Sequence, residues 1–588
     1  MRYRIVADTY ESLELTSKRL EMTSILTTLL KQTSISNIDK IIYLTQGKLK
    51  PEHEGIEIGI SDKLALKAIH LTSGKNSIEL ENEYNKVGDI GKVAEIASKS
   101  KPQSVLFSEP LTVERVYETL EKISNVTGSK SIETKIRYLN NIIADSEPIE
   151  AKYIMRTVVG KLRLGIADQT VLDALAEAFT EDKKNKKELE SAYNITSDLG
   201  KIANIVASNG LKAVKELKLK VGNPVRPMLA ERLSSANEII EKIGECAIEY
   251  KLDGERLQIH KSKDETKIYS RRLENITIQY PDVIKIVNNQ IRAKEVIVEA
   301  EAVAINSKTK EYLPFQQLMH RRRKHGIEKA IKQYPISLNF FDVLYCDNNE
   351  IMNESYSNRR KILEGIVKVD EDVKVVPSKI SDDPEEIEEF MENAIKDGCE
   401  GLVAKKLSSK YRAGAREYSW IKLKRDYKNS IEDSFDLVII GAFYGKGKRA
   451  GKYGTYLLAV YDKENDLFRS ITKIGSGFTD EDLEEFPKIL EKDKINNKHQ
   501  KVDSNIKADV WFIPNMVIEI IASEITLSPI HTCSINNIRK GSGLALRFPK
   551  FKGKIRKDKS PKDATESKEV EKMYLRQLKK IEKASDNN

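Results

Sequence analysis

The sequence predicts a multidomain α+β chain in three parts: all-α over 1–221, mixed α and β over 222–430, and a small β-barrel with a basic tail over 431–588. Three observations predict it. Residues 1–221 hold 4 of the 16 prolines and neither tryptophan, and their apolar residues recur at helical spacing. A Gly-Asn-Pro at 222–224 closes that texture with turn formers. Beyond it the apolar residues fall into short β-like runs.

In chain order, Leu20, Ile25, Leu26, Leu29 and Leu30 carry a helical period, and 170–176 carry a second such pattern behind an Asp168 placed to cap it. The runs 246–250, 257–260, 296–305 and 336–344 read as strands, with a helix over Pro384–Ala394 between later ones. In the last part, 437–444 and 456–461 flank a Gly/Lys-rich turn, and 517–521 add a strand, as in a small barrel. Residues 561–588 read as a charged helix or a frayed tail.

Composition narrows the function. The 99 Lys and Arg against 90 Asp and Glu leave +9, which excludes a polycation but permits a basic face for nucleic acid. No apolar run approaches the ~18 residues of a membrane span, and the N-terminus lacks a signal-peptide core, so a cytoplasmic location is expected. Cys246, Cys346, Cys399 and Cys533 are too scattered for a zinc knuckle or a disulfide scaffold, and four reduced thiols are expected.

The segment Glu249-Tyr250-Lys251-Leu252-Asp253-Gly254-Glu255-Arg256 stands out. A lysine ends a strand, a glycine turn follows, and an arginine comes five residues later. Alone, this also describes a strand–turn–strand with a solvated lysine. Further elements follow in order: Ser270-Arg271-Arg272, Glu299-Ala300-Glu301, Phe340-Phe341-Asp342, Glu400-Gly401-Leu402-Val403-Ala404-Lys405, Trp420-Ile421-Lys422-Leu423-Lys424 and Arg547-Phe548-Pro549-Lys550-Phe551.

The ordered series resembles the covalent nucleotidyltransferase superfamily, and most closely the ATP-dependent DNA ligases of the archaeal type, related to the eukaryotic replicative enzymes. The resemblance spans essentially the whole chain, including Leu162-Arg163-Leu164-Gly165. It implies a helical DNA-binding domain, an adenylation domain and a C-terminal OB-fold barrel. It also implies ATP as co-substrate, Mg²⁺ as metal and nicked duplex DNA as partner, in replication, recombination and repair. A monomer and a sliding-clamp partner are implied by the same resemblance.

The implied chemistry makes physical sense. Lys251 attacks the α-phosphorus of ATP, expels pyrophosphate and holds AMP as a phosphoramidate. A free lysine amine, with a pKa of ~10.4, is almost wholly protonated at neutral pH. Neighbouring cations are therefore expected to favour its neutral form: Arg256, Arg271, Lys422 and Lys424. The same charges would offset the phosphoryl oxygens in the transition state.

By resemblance, Glu249 helps select adenine, Arg256 and Arg271 contact ribose or phosphate, and Phe341 stacks on the base. Phe340 and Phe341 point to opposite faces of one strand, so one of them belongs to the core. Glu301 and Glu400 match the metal-holding acids, with Glu299 an alternative two residues away on the same face. Arg416 matches a nucleotide-contacting arginine, with Arg412 nearby as the alternative. Arg547 and Lys550 match the element that closes over the β- and γ-phosphates. Downstream, Arg556–Lys559 resembles the end of that element, with Lys552-Gly553-Lys554 one residue longer than expected.

Residues 550–562 hold seven Lys or Arg and one Asp, a local +6 suited to phosphate or solvent. Three other basic features are candidates for DNA or for plain solvated surface: 320–325, the loop 445–452, and Lys161 with Arg163 before a helix start. Closing over ATP and then facing DNA implies a rotation about the 428–434 linker. RNA ligase and capping enzymes share the lysine motif, but the long helical region and the C-terminal elements argue against both. The lack of zinc-spaced cysteines disfavours an NAD-dependent ligase. An inactive DNA clamp would require a substituted motif position, and none is substituted.

Overall fold

The computed structural model describes every residue except 100–108, 129, 181, 264, 314, 320, 322–325, 425–433, 446–448, 450, 523 and 587–588. The linker at 428–434, most of 320–325 and much of 445–452 thus lie outside the described residues or at their edge. The chain forms two compact units, Met1–Thr72 with Lys101–Arg425, and Ser73–Ser100 with Asp426–Asn588. The change of texture near 222 is therefore a change of secondary structure within the first unit.

The helical part of that unit follows its apolar spacing. Tyr3–Glu14 buries Tyr3, Val6, Ala7, Tyr10 and Leu13, a stripe at three- and four-residue steps. Val113–Asn125 buries Val113, Val116, Tyr117, Leu120 and Ile123, and its first turn is capped by Thr112, which accepts from the Arg115 N–H. Asp168 does not cap the helix Asp168–Phe179; it is the first helical residue, after Ala167. Its carboxylate instead accepts from Gln46 Nε2 (3.0 Å), Tyr193 Oη (2.7 Å) and Arg226 Nη1 (3.2 Å). That cluster ties the helices to the chain as it enters the β region. Lys161, one of the candidate phosphate contacts, is paired with Asp62 at 2.9 Å.

Two sheets follow. Their strands are β1 Leu229–Arg232, β2 Cys246–Lys251, β3 Glu255–Lys261, β4 Thr266–Ser270, β5 Val296–Ala304, β6 Ile336–Cys346, β7 Asn349–Glu350, β8 Val373–Val375, β9 Ser378–Ser381, β10 Gly401–Lys406 and β11 Arg416–Lys424. One sheet runs β1-β11-β10-β2-β9, the other β4-β3-β5-β6-β7 with β8 beside β6. Lys251 ends a strand of the first sheet and Glu255 begins a strand of the second. Leu252-Asp253-Gly254 is thus the crossing between sheets. Only glycine fits at 254: a Cβ there would stand 2.3 Å from the Ala302 carbonyl oxygen and 2.9 Å from Glu301 Cγ.

The second unit is strand-rich, with β12 Ser434–Tyr444, β13 Tyr453–Asp462, β14 Leu467–Ile474, β15 Lys494–Ile495, β16 Val502–Asp503, β17 Val510–Phe512, β18 Val517–Ile521, β19 Glu524–Ser528, β20 Gly543–Arg547 and β21 Lys550–Ile555. β12 pairs with β13 on one side and with β17 and β18 on the other, and β18 passes on to β21. Phe435, Leu437 and Ile439 enter one core while Val438 and Ile440 enter another, so β12 is apolar without alternation because both its faces are covered. The tail forms the helix Ser567–Asp586, anchored in the barrel core by Val570 and Tyr574.

The extra length after Phe551 is absorbed locally. Ile520 opposes Phe551 and Glu519 opposes Lys554, so Lys552 and Gly553 bulge out of the ladder, Gly553 at φ +77°. All four cysteines are free, three of them buried. Among the described residues no helix is long and apolar enough to cross a membrane.

Candidate active site

Strand alternation builds the site on one face of the first sheet. Across β2, β10 and β11 the rows read Glu249–Val403–Lys422 and Lys251–Gly401–Lys424, and opposed residues share a face. Trp420, two residues before Lys422, stands opposite Lys405 on that face. Gly401 carries no side chain, so Lys251 and Lys424 approach each other over it. Glu400 answers both: its Oε2 lies 2.5 Å from Lys251 Nζ and 2.6 Å from Lys424 Nζ. Its backbone N–H also donates to the Lys251 carbonyl at 2.8 Å.

The second sheet supplies more charge. β3 pairs with β5 so that Arg256 opposes Glu301. Arg256 donates to both oxygens of Glu299, at 2.9 and 2.8 Å, and to the Met228 carbonyl at 2.9 Å. Glu299 is therefore committed to Arg256, and Glu301 is the carboxylate left facing the Lys251 turn.

Electrostatics tie these groups together. Burial lifts the Glu301 carboxyl to about 7, against the pull of Lys251 and Arg256 and with the repulsion of Glu400 and Asp253. Burial also raises Asp253, with the adjacent Glu400 adding to it. Glu400 moves the other way, because Lys251 and Lys424 outweigh its burial. Burial, and then Arg416, Lys251, Lys424 and Arg271, pull Lys422 below the ordinary lysine range. Arg271 and Arg416, exposed side chains, thus belong to the same field as Lys251.

Of the two phenylalanines, Phe340 is buried in the core of the second sheet. Phe341 is half-buried, 6.3 Å from the Trp420 ring and 5.3 Å from the Arg256 guanidinium. Glu249 is not open: Tyr356 Oη (2.5 Å), Arg360 (3.3 Å) and Lys405 (2.7 Å) surround its carboxylate. Lys405, Tyr356 and Arg360 received no role from the sequence. The available signal was weak: Lys405 lies two residues beyond Val403, on the face Val403 shares with Glu249.

Arg547 and Lys550 lie in the second unit, Arg547 at the end of β20 with its guanidinium 4.9 Å from the Phe548 ring, Lys550 exposed at the start of β21. Arg556, from the expected end of that element, binds Asp436 at 2.9 Å and Asp558 at 2.7 Å.

Among the described residues no group of three or more His, Cys, Asp or Glu is set to hold a metal. Mg²⁺ needs less: one or two carboxylates, waters and substrate phosphate. Glu301 and Glu400 provide the oxygen donors, and Asp253 lies close enough to add to the repulsion each feels. The residues fit the ion.

Comparison with known proteins agrees across the chain. Residues 227–424 match the family model described as ATP dependent DNA ligase domain, 2–176 match DNA ligase N terminus, and 449–559 match ATP dependent DNA ligase C terminal region. The chain is 49% identical over 582 residues to the DNA ligase of Cenarchaeum symbiosum, covering 99% of both proteins. It is 50% identical over 580 residues to that of Nitrosopumilus maritimus, covering 98% of this chain and 99% of the relative. A solved structure described as "Pmar-Lig_PreS3" shares the fold, with TM-score 0.54 at 18% identity, over 94% of this chain and 99% of its own. By these matches, the chain belongs to the ATP-dependent DNA ligase family.

Proposed function

We propose that this chain seals nicks in duplex DNA through a covalent AMP adduct on Lys251. The carrying observation is the ring of opposed charge at the sheet crossing: Lys251 and Lys424 on one Glu400 oxygen, with Lys422, Arg416 and Arg271 in the same field. Such a site binds polyphosphate and stabilises charge on a phosphoryl group in transfer. Glu400, held well below the ordinary carboxylate range, is a poor proton acceptor. It therefore anchors the Lys251 side chain rather than deprotonating it, and attack requires Lys251 to leave this pair.

In the first step the Lys251 nitrogen bonds the α-phosphorus and pyrophosphate departs. The AMP then passes to the 5′-phosphate at a nick, and finally the 3′-OH displaces AMP to form the phosphodiester. Phe341 stacks on the base, Glu249 reads its edge, and Arg256 acts from its seat on Glu299. Glu301 and Glu400 would hold Mg²⁺, which supplies positive charge beside the phosphates. Arg547 and Lys550 act on the β- and γ-phosphates during the first step. The helical region grips the DNA backbone, which predicts salt-sensitive, sequence-tolerant binding. The resemblance further suggests a monomer that meets a sliding clamp.

Incubation with α-labelled ATP, GTP or NAD and Mg²⁺ tests the reading. A labelled AMP adduct that disappears in K251A is expected. Absence of any adduct refutes the reading, and a GMP adduct moves the chain to capping chemistry.

A further inference from the structure

A buried ion pair in this site has no part in the phosphoryl chemistry. Glu249 is 2% exposed and Lys405 1%, and their side chains meet at 2.7 Å. Burying two charges is costly, and their attraction repays the cost only where the geometry is good and further hydrogen bonds are made. The geometry here is specific. Lys405 Nζ donates to Glu249 Oε2 and, at 3.0 Å, to the carbonyl oxygen of Phe341. It also lies 4.3 Å from the centre of the Trp420 ring. One ammonium therefore fixes both the carboxylate expected to read the base and the backbone of the residue expected to stack on it.

The acceptor inventory of Glu249 sharpens the point. An ionised carboxylate offers about four acceptor directions. Tyr356 Oη and Arg360 Nη1 both approach Oε1, while Lys405 takes one direction on Oε2. Among the described residues, one direction on Oε2 is left. Three donors, two of them cationic, fix the orientation of the carboxylate.

We propose that Lys405 is a positioning residue for base selection. It holds Glu249 so that its remaining Oε2 direction accepts the exocyclic amine of adenine and repels the carbonyl oxygen that guanine places there. This rests on Glu249 being the base-reading residue. A buried acceptor left facing another acceptor is strongly disfavoured, so the discrimination is lost once the carboxylate is free to turn away.

The test compares ATP with GTP as donors of the Lys251 adduct, measuring kcat and KM for wild type, E249Q and K405M in the full chain. E249Q and K405M are both expected to lower the ATP-over-GTP ratio of kcat/KM by about tenfold or more, K405M mainly through a higher KM for ATP. A purely structural loss would lower both nucleotides together and leave the ratio intact. K405M at the wild-type ratio, with E249Q reduced, overturns the positioning role. E249Q at the wild-type ratio overturns the base-reading assignment beneath it. Circular dichroism and melting check the fold; should K405M fail to fold, K405Q, which keeps a donor but no charge, carries the same measurement.

Discussion

Replacing Gly254 by alanine probes how the nucleophile is held. The added Cβ would stand 2.3 Å from the Ala302 oxygen and 2.9 Å from Glu301 Cγ. Carbon–oxygen contacts between neighbouring backbones settle at ~3.3–3.6 Å, so the turn or β5 must yield by roughly 1 Å. Overpacking of this kind costs about 1–3 kcal/mol. The moving parts carry Lys251 and Asp253 on one side and Glu301 on the other. A displacement of about 1 Å at a reacting group costs on the order of 100-fold in rate. The assay is single-turnover transfer of labelled AMP to Lys251, run beside a thermal melt. G254A is expected to form the adduct roughly 100-fold more slowly and to melt earlier. An adduct formed at the wild-type rate by a protein of wild-type stability would refute the view that close contact with β5 sets the lysine.

Three further outcomes are expected. R547A and K550A should slow formation of the Lys251 adduct yet spare sealing of a nick that already carries a 5′-adenylate, as followed on denaturing gels. Asp342 and Arg359 are both fully buried and paired at 2.7 Å; D342A leaves the guanidinium with the Glu354 and Ser409 carbonyls but no counter-charge, and should cost about 3–5 kcal/mol in urea unfolding. Burial lifts Glu301 to about 7. Between the ordinary carboxylate range and that value the folded state keeps a proton the unfolded chain has lost, so stability falls as pH rises through the window. E301Q in EDTA should therefore gain in melting temperature over wild type from pH 5 to pH 8, and a constant offset would exclude the effect.

What the sequence made legible is what depends on spacing along the chain. The helical stripes, the strands and the lysine rows of β11 follow from periods of 3.6 and 2. The order of the motifs singled out Lys251, Glu301 and Glu400, whose side chains the fold brings near one another. Pairings across sheets were not legible, because register is set by long-range packing. Alternation puts Phe340 and Phe341 on opposite faces, yet only the packing of β6 decides that Phe340 is the core residue. The same limit hid the partner of Arg256, which is Glu299 two residues from the predicted ligand. Asp168 stands one residue inside the helix start, past the cap position, and three donors from distant segments claim its carboxylate.

Charge shows the same limit from another side. Residues 550–562 read as +6 against +9 for the whole chain, a concentration that points to phosphate. In the folded unit much of it is already answered. Arg556 and Lys559 share Asp436, Lys562 reaches Asp466 at 3.0 Å, and Lys554 lies 3.9 Å from Glu519. Lys550, Lys552 and Lys557 remain without an ion pair among the described residues. Lys550 begins β21 and Lys552 stands in its bulge, so the strand presents both at one end. A solvated cation that must meet phosphate gains most when no local acid competes for it. The residues to expect on polyphosphate are therefore Lys550 and Lys552, while Arg556 and Lys559 hold the strand in place. Net charge counts both kinds alike; only pairing separates the cations that build the barrel from those it offers to a ligand.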